Sequence, residues 1–153
     1  MAKTLKCKYN DKLWNIYDIV ELPIDEIWGT APIIEDMSNK PFRKNLIEDI
    51  KKDGMHFPIM VVETNGRQCY DAKQKYQDKI TPLPFVRGGT PGVNNDIIIY
   101  KSCWGGSQRL SIAKELGYTH IDAAILPSIQ EAIDCQKYMR EPFMQRYYLA
   151  EKK

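Results

Sequence analysis

Apolar residues recur along the chain at two spacings, which predict strands alternating with helices. Runs of β-branched and aromatic residues are typical of strands, and they occur near residues 14–21 and over residues 56–62, 97–100 and 120–126. The stretches between them carry apolar residues three and four positions apart, as an amphipathic helix does. This order of elements predicts an α/β fold.

Two of the predicted helices have a clear beginning and end. The first begins at Pro41, where the missing N–H of proline does no harm, and it ends before Gly54. The second follows the strand at 97–100 and a glycine-rich turn, and it ends before Gly117. Their inward-facing stripes consist of Phe42, Leu46, Ile47 and Ile50 in the first helix and Leu110, Ile112, Ala113 and Leu116 in the second.

The segment 128–153 is also expected to be helical. Ser128 is a suitable N-cap, and Glu131 stands three positions later, as in a capping box. Pro142 interrupts or restarts this segment. With a core over about residues 14–127, the 153 residues predict a single domain.

Residues 63–96 break the alternation of strands and helices. They are rich in glycine, proline and asparagine, and only residues 72–78 show a weak helical pattern. We therefore interpret 63–96 as a long, irregular insertion. Its Gly-Gly-Thr-Pro-Gly run at 88–92 would suit the hinge of a lid, and a surface insertion with no role fits the pattern equally well.

Charge, hydropathy and cysteine spacing exclude several classes of protein. Twenty-two basic residues against twenty acidic ones leave a net charge of +2, so a nucleic-acid partner would need a local basic patch. No apolar run reaches the roughly 18–20 residues of a membrane span, and none follows the basic N-terminus as in a secretory signal. The four cysteines form no C-x-x-C pair, which disfavours a zinc site and predicts reduced thiols in a cytoplasmic protein.

A turn between the third strand and the second helix carries the clearest chemical signal. It consists of Gly105, Gly106, Ser107, Gln108 and Arg109. The glycines let the backbone approach a ligand closely, and the N–H groups of the first helical turn favour an anion. The next two residues add hydrogen-bond donors, and the arginine suits phosphate oxygens. We predict a phosphate-binding turn; the alternative is a tight turn with a surface arginine.

The order of these motifs resembles the ParB/sulfiredoxin-type domain. In that family a helix ending in glycine leads to a Pro-Ile-x-Val strand, matched here by Gly54 and residues 58–62. A later Gly-x-x-Arg begins a helix that again ends in glycine, matched by residues 106–109 and Gly117. The sequence Leu-Pro-Ile-Asp-Glu-Ile at 22–27 is similar to the opening of the family domain.

A second resemblance lies at residues 104–109, which are similar to the Phe-Gly-Gly-Cys-His-Arg sequence of sulfiredoxins. The similarity extends over about 20–126 and is interrupted by the insertion. It implies a small domain with a mixed sheet and flanking helices that holds a nucleotide or another phosphate ester at the Gly-x-x-Arg turn. CTP or ATP, with Mg²⁺, is the cofactor that the resemblance implies.

The chain departs from several members of the family, which are described as CTP-dependent DNA clamps, nucleases, sulfinic acid reductases and serine kinases. Ser107 and Gln108 stand where sulfiredoxins carry a catalytic cysteine and histidine, which disfavours reductase chemistry. The segment after Leu126 is expected to be too short for the further domains of a partition clamp. One hypothesis is an enzyme for nucleotide hydrolysis or transfer, or a nuclease that cleaves DNA. The other is a non-catalytic module that binds nucleotide or nucleic acid and regulates a protein partner, and an empty turn is a third possibility.

Three side chains are candidates for catalysis in the enzyme hypothesis. His56 begins the strand after Gly54, where it could act as a general base or a phosphate ligand. The other two are carboxylates that could act as a base or bind a metal ion, namely Glu21 and, on the first helix, Asp49 or alternatively Glu48. Each has a structural alternative, because a lone histidine is often structural and helical carboxylates usually face solvent. No tight Asp/Glu cluster near Arg109 identifies the metal ligands, which stay unknown.

Basic and aromatic residues are interleaved within the insertion. The basic ones are Arg67, Lys73, Lys75, Lys79 and Arg87, and the aromatic ones are Tyr70, Tyr76 and Phe85. This combination suits single-stranded nucleic acid, because cations contact phosphates and aromatic rings stack on bases. The alternative is a solvated insertion whose aromatic rings pack against the core.

Overall fold

Seven strands in one mixed sheet and four helices make up the part of the chain that the computed structural model describes, which is residues 2–8, 12–13, 16–29, 41–76, 91–103 and 106–135. The strands are β1 (Thr4–Leu5), β2 (Lys12–Leu13), β3 (Tyr17–Pro23), β4 (Ile27–Trp28), β5 (Ile59–Thr64), β6 (Ile99–Cys103) and β7 (His120–Leu126). The helices are α1 (Pro41–Asp53), α2 (Gly66–Tyr76), α3 (Gly106–Glu115) and α4 (Ile129–Asp134). A 3₁₀ turn at Ile24–Glu26 joins β3 to β4, and the mixed α/β class is confirmed.

Strand β7 lies near the centre of the sheet, whose order is β2-β3-β7-β5-β6-β4. It pairs antiparallel with β3 and parallel with β5, where Ala123 faces Ile59. The beginning of β7 also pairs with β1, so that His120 faces Thr4. Among the described strands, the first therefore pairs with the last.

The sheet is covered by helices on both faces. Alternate residues of β5 and β7 belong to two different hydrophobic clusters, as the period of two in a strand requires. One cluster contains Ile50 of α1 and Leu110 of α3, and the other contains Cys69 of α2 and Ala132 of α4. Helices α1 and α3 thus cover one face, and α2 and α4 cover the other.

Helix α1 has the boundaries that its sequence predicts. It begins at Pro41, and Gly54 follows its last residue with a φ of +73°. Glycine adopts this left-handed conformation without the strain that a side chain would cause. A Cβ atom at position 54 would lie 3.1 Å from the carbonyl oxygen of Lys6, so the turn also packs closely against the residues after β1.

Strand boundaries differ from the predicted ones at three places. Strand β3 lies at Tyr17–Pro23 rather than 14–21, and β5 begins at Ile59, after Pro58, rather than at residue 56. The predicted strand at 97–100 begins instead at Ile99, because Ile99 is the partner of Thr64, the last residue of β5. Ile97 and Ile98 precede this ladder and are 66% and 63% exposed.

Helix α2 corrects the interpretation of residues 63–96 as irregular. The Asn65 side chain accepts a hydrogen bond from the Gln68 backbone N–H at 2.8 Å and so caps the helix. Cys69 and Ala72 are buried against the sheet at a spacing of three residues. Strand β5 also extends through Glu63 to Thr64. Residues 77–90, which include the first three residues of the predicted hinge at 88–92, lie outside the described residues.

Helix α4 confirms the predicted N-cap at Ser128. The Ser128 Oγ accepts a hydrogen bond from the Glu131 N–H at 3.0 Å. The Glu131 carboxylate accepts a hydrogen bond from the Tyr17 hydroxyl, which ties α4 to β3. The rest of the predicted helical segment, residues 136–153 with Pro142, lies outside the described residues.

Candidate functional site

Arg109 lies on α3, one turn from its beginning, and its side chain is almost fully buried. It is 7% exposed. Its Nη1 donates a hydrogen bond to the Phe57 carbonyl oxygen at 2.7 Å, and its Cζ lies 4.9 Å from the centroid of the Phe57 ring. A carbonyl acceptor and an aromatic face both stabilise a buried guanidinium. Arg109 is therefore held firmly and is not the surface arginine of the alternative reading.

A small cavity of about 30 Å³ adjoins this arginine. Its lining consists of Leu46, Asp49 and Ile50 from α1, residues 54–57 and Arg109. A water molecule needs about 10–15 Å³ of such space, so the cavity has room for one or two waters or for a single phosphate oxygen. The body of a larger ligand would lie outside it.

Three of the residues predicted from the sequence surround this cavity. Arg109 comes from α3, His56 precedes β5, and Asp49 lies on α1. His56 and Asp49 are both half-buried. The structure thus brings the Arg109 cation beside an imidazole and a carboxylate that lie more than 50 residues before it in the sequence.

Glu21 is not among the residues that line this cavity. It lies on β3, which β7 separates from β5, and it faces Asp122 across the sheet. Its carboxylate accepts a hydrogen bond from the hydroxyl of Thr4. The fold therefore separates Glu21 from His56 and Asp49.

The predicted phosphate-binding turn is described only in part. Gly106 is the first residue of α3, followed by Ser107 and the half-buried Gln108. Gly105 lies outside the described residues. Gly117 ends the helix region with a φ of +85°, as the sequence predicts. Strand β6 ends at Cys103 and α3 begins at Gly106, and Arg109 follows three residues after Gly106.

The basic residues of the predicted nucleic-acid surface lie partly on α2. Arg67, Lys73 and Lys75 are exposed there, and the Arg67 Nε lies 3.3 Å from an Asp71 carboxylate oxygen. Lys79 and Arg87 lie outside the described residues. Helix α2 covers the face of the sheet opposite to α1 and α3, so these residues and the Arg109 cavity lie on different faces.

None of the four cysteines, all of which lie in the described ranges, is joined in a disulfide. Cys103 is buried beneath the helices, and burial raises the pKa of its thiol well above the usual range. A thiolate nucleophile at Cys103 is therefore strongly disfavoured. Within the described ranges, no group of three or more His, Cys, Asp or Glu side chains is arranged to hold a metal ion. The helices in those ranges include none with the length and apolar character that crossing a membrane requires.

Sequence reasoning missed two residues that the structure makes conspicuous. Phe57 contacts Arg109 through both its carbonyl and its ring, but its position before Pro58 indicates only a strand. Lys101 of β6 is 1% exposed, and burial lowers its pKa from the ordinary value of 10.5. Lysine side chains are usually exposed to solvent, so the pattern of apolar positions in the sequence does not indicate that Lys101 is buried.

Comparisons with known proteins give one structural similarity. No family model matches the sequence, and no curated protein matches it. The crystal structure of sulfiredoxin from Arabidopsis thaliana aligns with 80% of this chain and 97% of its own length, with 21% sequence identity and a TM-score of 0.39. The chain is thus similar to a sulfiredoxin over most of its length at low sequence identity.

Proposed function

We propose that this protein binds a nucleoside triphosphate at the beginning of α3 and hydrolyses it. The observation that carries the proposal is the convergence of Arg109, His56 and Asp49 on one cavity of the size of a water molecule or a phosphate oxygen. The Gly-x-x-Arg sequence at 106–109 adds the first-turn N–H groups of a ten-residue helix. We assign these groups together to a cationic cradle beside the cavity.

Arg109 is the residue that we assign to the phosphate. Its guanidinium has five N–H donors in a fixed plane, and at least one of them holds the side chain on Phe57. Contact with the carbonyl and the ring fixes the orientation before a ligand arrives. A preoriented cation stabilises charge on the phosphate without reorganising during the reaction.

His56 and Asp49 are the residues that we assign to the reaction. His56 takes a proton from a water in the cavity as the water attacks phosphorus, and Asp49 orients that water or accepts the proton in turn. The bond between the terminal phosphorus and the bridging oxygen of the leaving nucleoside diphosphate breaks. The products are inorganic phosphate and the nucleoside diphosphate, and the proton stays on His56 or Asp49 until it passes to solvent. When Mg²⁺ is bound with the nucleotide, it would neutralise phosphate charge, and Asp49 is the cavity carboxylate that fits it.

Nucleotide binding is tested by the thermal midpoint of the full chain with ATP or CTP, each with and without Mg²⁺. A nucleotide at 100 times its Kd should add about 2.7 kcal/mol to the stability. Arg109→Lys should remove most of this shift, because lysine lacks the planar fork. Arg67→Lys is the matched control on the exposed side of α2, and it should keep the shift.

Catalysis is tested by the release of inorganic phosphate. His56→Ala should lower turnover by about 10²–10⁴-fold and leave the nucleotide-induced midpoint shift in place. Binding without any turnover would favour the non-catalytic module, and transfer to an acceptor would show as turnover without free phosphate. No midpoint shift with either nucleotide would overturn the proposal.

A further inference from the structure

A groove of about 310 Å³ lies between α2 and the beginning of α4. It is on the face of the sheet opposite to the Arg109 cavity, and it is about ten times larger. Its volume is at the lower end of the range for sites that bind small molecules. The proposed hydrolysis uses no residue of this groove.

Apolar groups form one part of the groove lining. Ala72 of α2 and Ile129 of α4 are almost fully buried, and Pro127 lies beside them before α4. Tyr76 adds an aromatic ring, and its hydroxyl donates to the Gln130 Oε1 at 3.2 Å, which fixes the ring against α4. This surface suits a flat, ring-shaped group.

Hydrogen-bond donors form another part of the lining. The Gln68 side-chain oxygen accepts a hydrogen bond from the Thr64 hydroxyl at 3.1 Å, which leaves its NH₂ group to donate to a carbonyl. The Lys75 ammonium lies 5.2 Å from the centroid of the Tyr76 ring, at the edge of the groove. A ligand with carbonyl oxygens on a ring and a negative charge beside it is complementary to these groups.

The charge along α2 is strongly positive for so short a helix. Its eleven residues carry three basic side chains, Arg67, Lys73 and Lys75, and the single acid Asp71. Asp71 also lines the groove, but its ion pair with Arg67 at 3.3 Å offsets its charge. A chain of phosphates along α2 would therefore meet cations without facing an unpaired carboxylate on this helix.

We propose that this groove binds a base of single-stranded DNA while the phosphates of the strand follow α2. The apolar surface would contact the face of the base, and the Gln68 amide would donate to a carbonyl at the edge of the base. The cations of α2 would contact the phosphates of the strand. A pyrimidine with its two carbonyl groups fits the donors best. This proposal rests on the groove and on the charge of α2, and it is independent of the reaction proposed for Arg109.

The test is the fluorescence anisotropy of a fluorescein-labelled oligothymidylate of 12 nucleotides, titrated with the full chain at 50 mM and 200 mM NaCl. We expect Lys75→Glu to weaken binding about tenfold or more at the lower salt and to reduce the salt dependence. Tyr76→Leu should weaken binding about fivefold or more, because it removes a stacking ring. Lys44→Glu makes the same charge change on exposed α1, across the sheet, and should change the Kd less than about twofold.

Several outcomes would overturn the proposal. The first is that the wild-type chain does not bind the oligomer at 50 mM NaCl. The second is that Lys44→Glu and Lys75→Glu weaken the binding equally. The third is that Tyr76→Leu, shown to be folded by circular dichroism, binds the oligomer as tightly as wild type. Displacement of the oligomer by thymidine monophosphate at an equal nucleotide concentration would show a site for free nucleotides instead. Arg109→Lys should bind the oligomer like wild type, which separates this groove from the proposed nucleotide site.

Discussion

Individual residues show how the interior of this protein holds charge. Arg109 and Lys101 are both basic residues with less than a tenth of their surface exposed. Arg109 lies on α3, and Lys101 lies on β6. Arginine keeps its proton at any ordinary pH, whereas lysine loses part of its proton affinity when it is buried. Arg109 is therefore suited to hold an anion permanently, and its contacts with Phe57 matter for that role.

We predict that Phe57→Leu destabilises the protein by about 1–3 kcal/mol. The leucine keeps the backbone carbonyl but loses the ring that lies 4.9 Å from the guanidinium and leaves unfilled space. The matched control is Tyr118→Leu, which removes the ring beneath the exposed Lys3 ammonium at 4.5 Å and should cost less. Urea unfolding measures both, and an equal loss would contradict a special contribution from the buried pair.

At the scale of elements, residues that mark the ends of helices explain which helices could be predicted from the sequence. Helix α1 begins with a proline and is followed by a glycine. A glycine also follows α3, and a serine caps the beginning of α4. Helix α2 has an Asn65 cap and a Gln68 three positions later, which is also a capping signal. Its weak apolar stripe and the many glycines and prolines that follow it conceal this signal. The burial of Cys69 and Ala72 depends on the sheet beneath them, which local sequence does not reveal.

A substitution at Gly54 tests the contact between α1 and the residues after β1. We predict that Gly54→Ala costs about 2 kcal/mol or more, because it combines a left-handed φ with a Cβ 3.1 Å from the Lys6 carbonyl oxygen. Gly117→Ala has the same type of φ, +85°, but a Cβ there meets nothing within 4 Å and should cost about 1 kcal/mol. Thermal and urea unfolding of the two variants should therefore differ, and equal losses would show that the Lys6 backbone yields freely.

The cap of α2 gives a second test at this scale. Asn65→Ala should destabilise the protein by about 1 kcal/mol, since the Gln68 N–H loses its acceptor at 2.8 Å. Asn45→Ala replaces an exposed asparagine within α1 and should have the opposite sign, because alanine favours helix interiors. Urea unfolding measures both signs. A neutral effect at position 65 would mean that another acceptor replaces the cap.

For the whole molecule, buried titratable groups determine how stability changes at high pH. Burial raises the pKa of Cys69, Cys103 and Tyr17, whose ordinary values are 9.0 for the thiols and 10.0 for the phenol. Above those values the unfolded chain has released protons that the folded chain retains, so stability falls with rising pH. Lys101 acts in the opposite direction up to pH 10.5, because its pKa is lowered in the folded chain.

We therefore predict a net loss of stability as the pH rises through 9 and 10. Each thiol or phenol contributes about 1.4 kcal/mol per pH unit once its unfolded form is ionised, and Lys101 offsets one such group. Urea unfolding at pH 7, 9 and 10.5 measures the slope. Lys101→Met should make the fall steeper and Tyr17→Phe should make it shallower. A stability that stays constant up to pH 10.5 would be inconsistent with three buried acids.

Three residues of the candidate site could be predicted from the sequence, but Phe57 and the geometry of the site could not. Arg109 and His56 were identifiable from a glycine-rich turn and from a lone imidazole beside a strand. Their proximity to Asp49 depends on β5 and α3 lying side by side and on α1 packing over them, which is set by sheet order. Glu21 illustrates the opposite case, since a carboxylate at the end of a strand is separated from the site by the same sheet order.

The central position of β7 has a consequence for how the protein is made. Strands β1, β3 and β5 all pair with β7, which a ribosome produces last among the described strands. At ordinary translation rates the interval between Tyr17 and His120 is roughly 5–20 s. A nascent chain that stops before His120 cannot complete the sheet, so it exposes apolar strands to proteases and chaperones until β7 has left the exit tunnel.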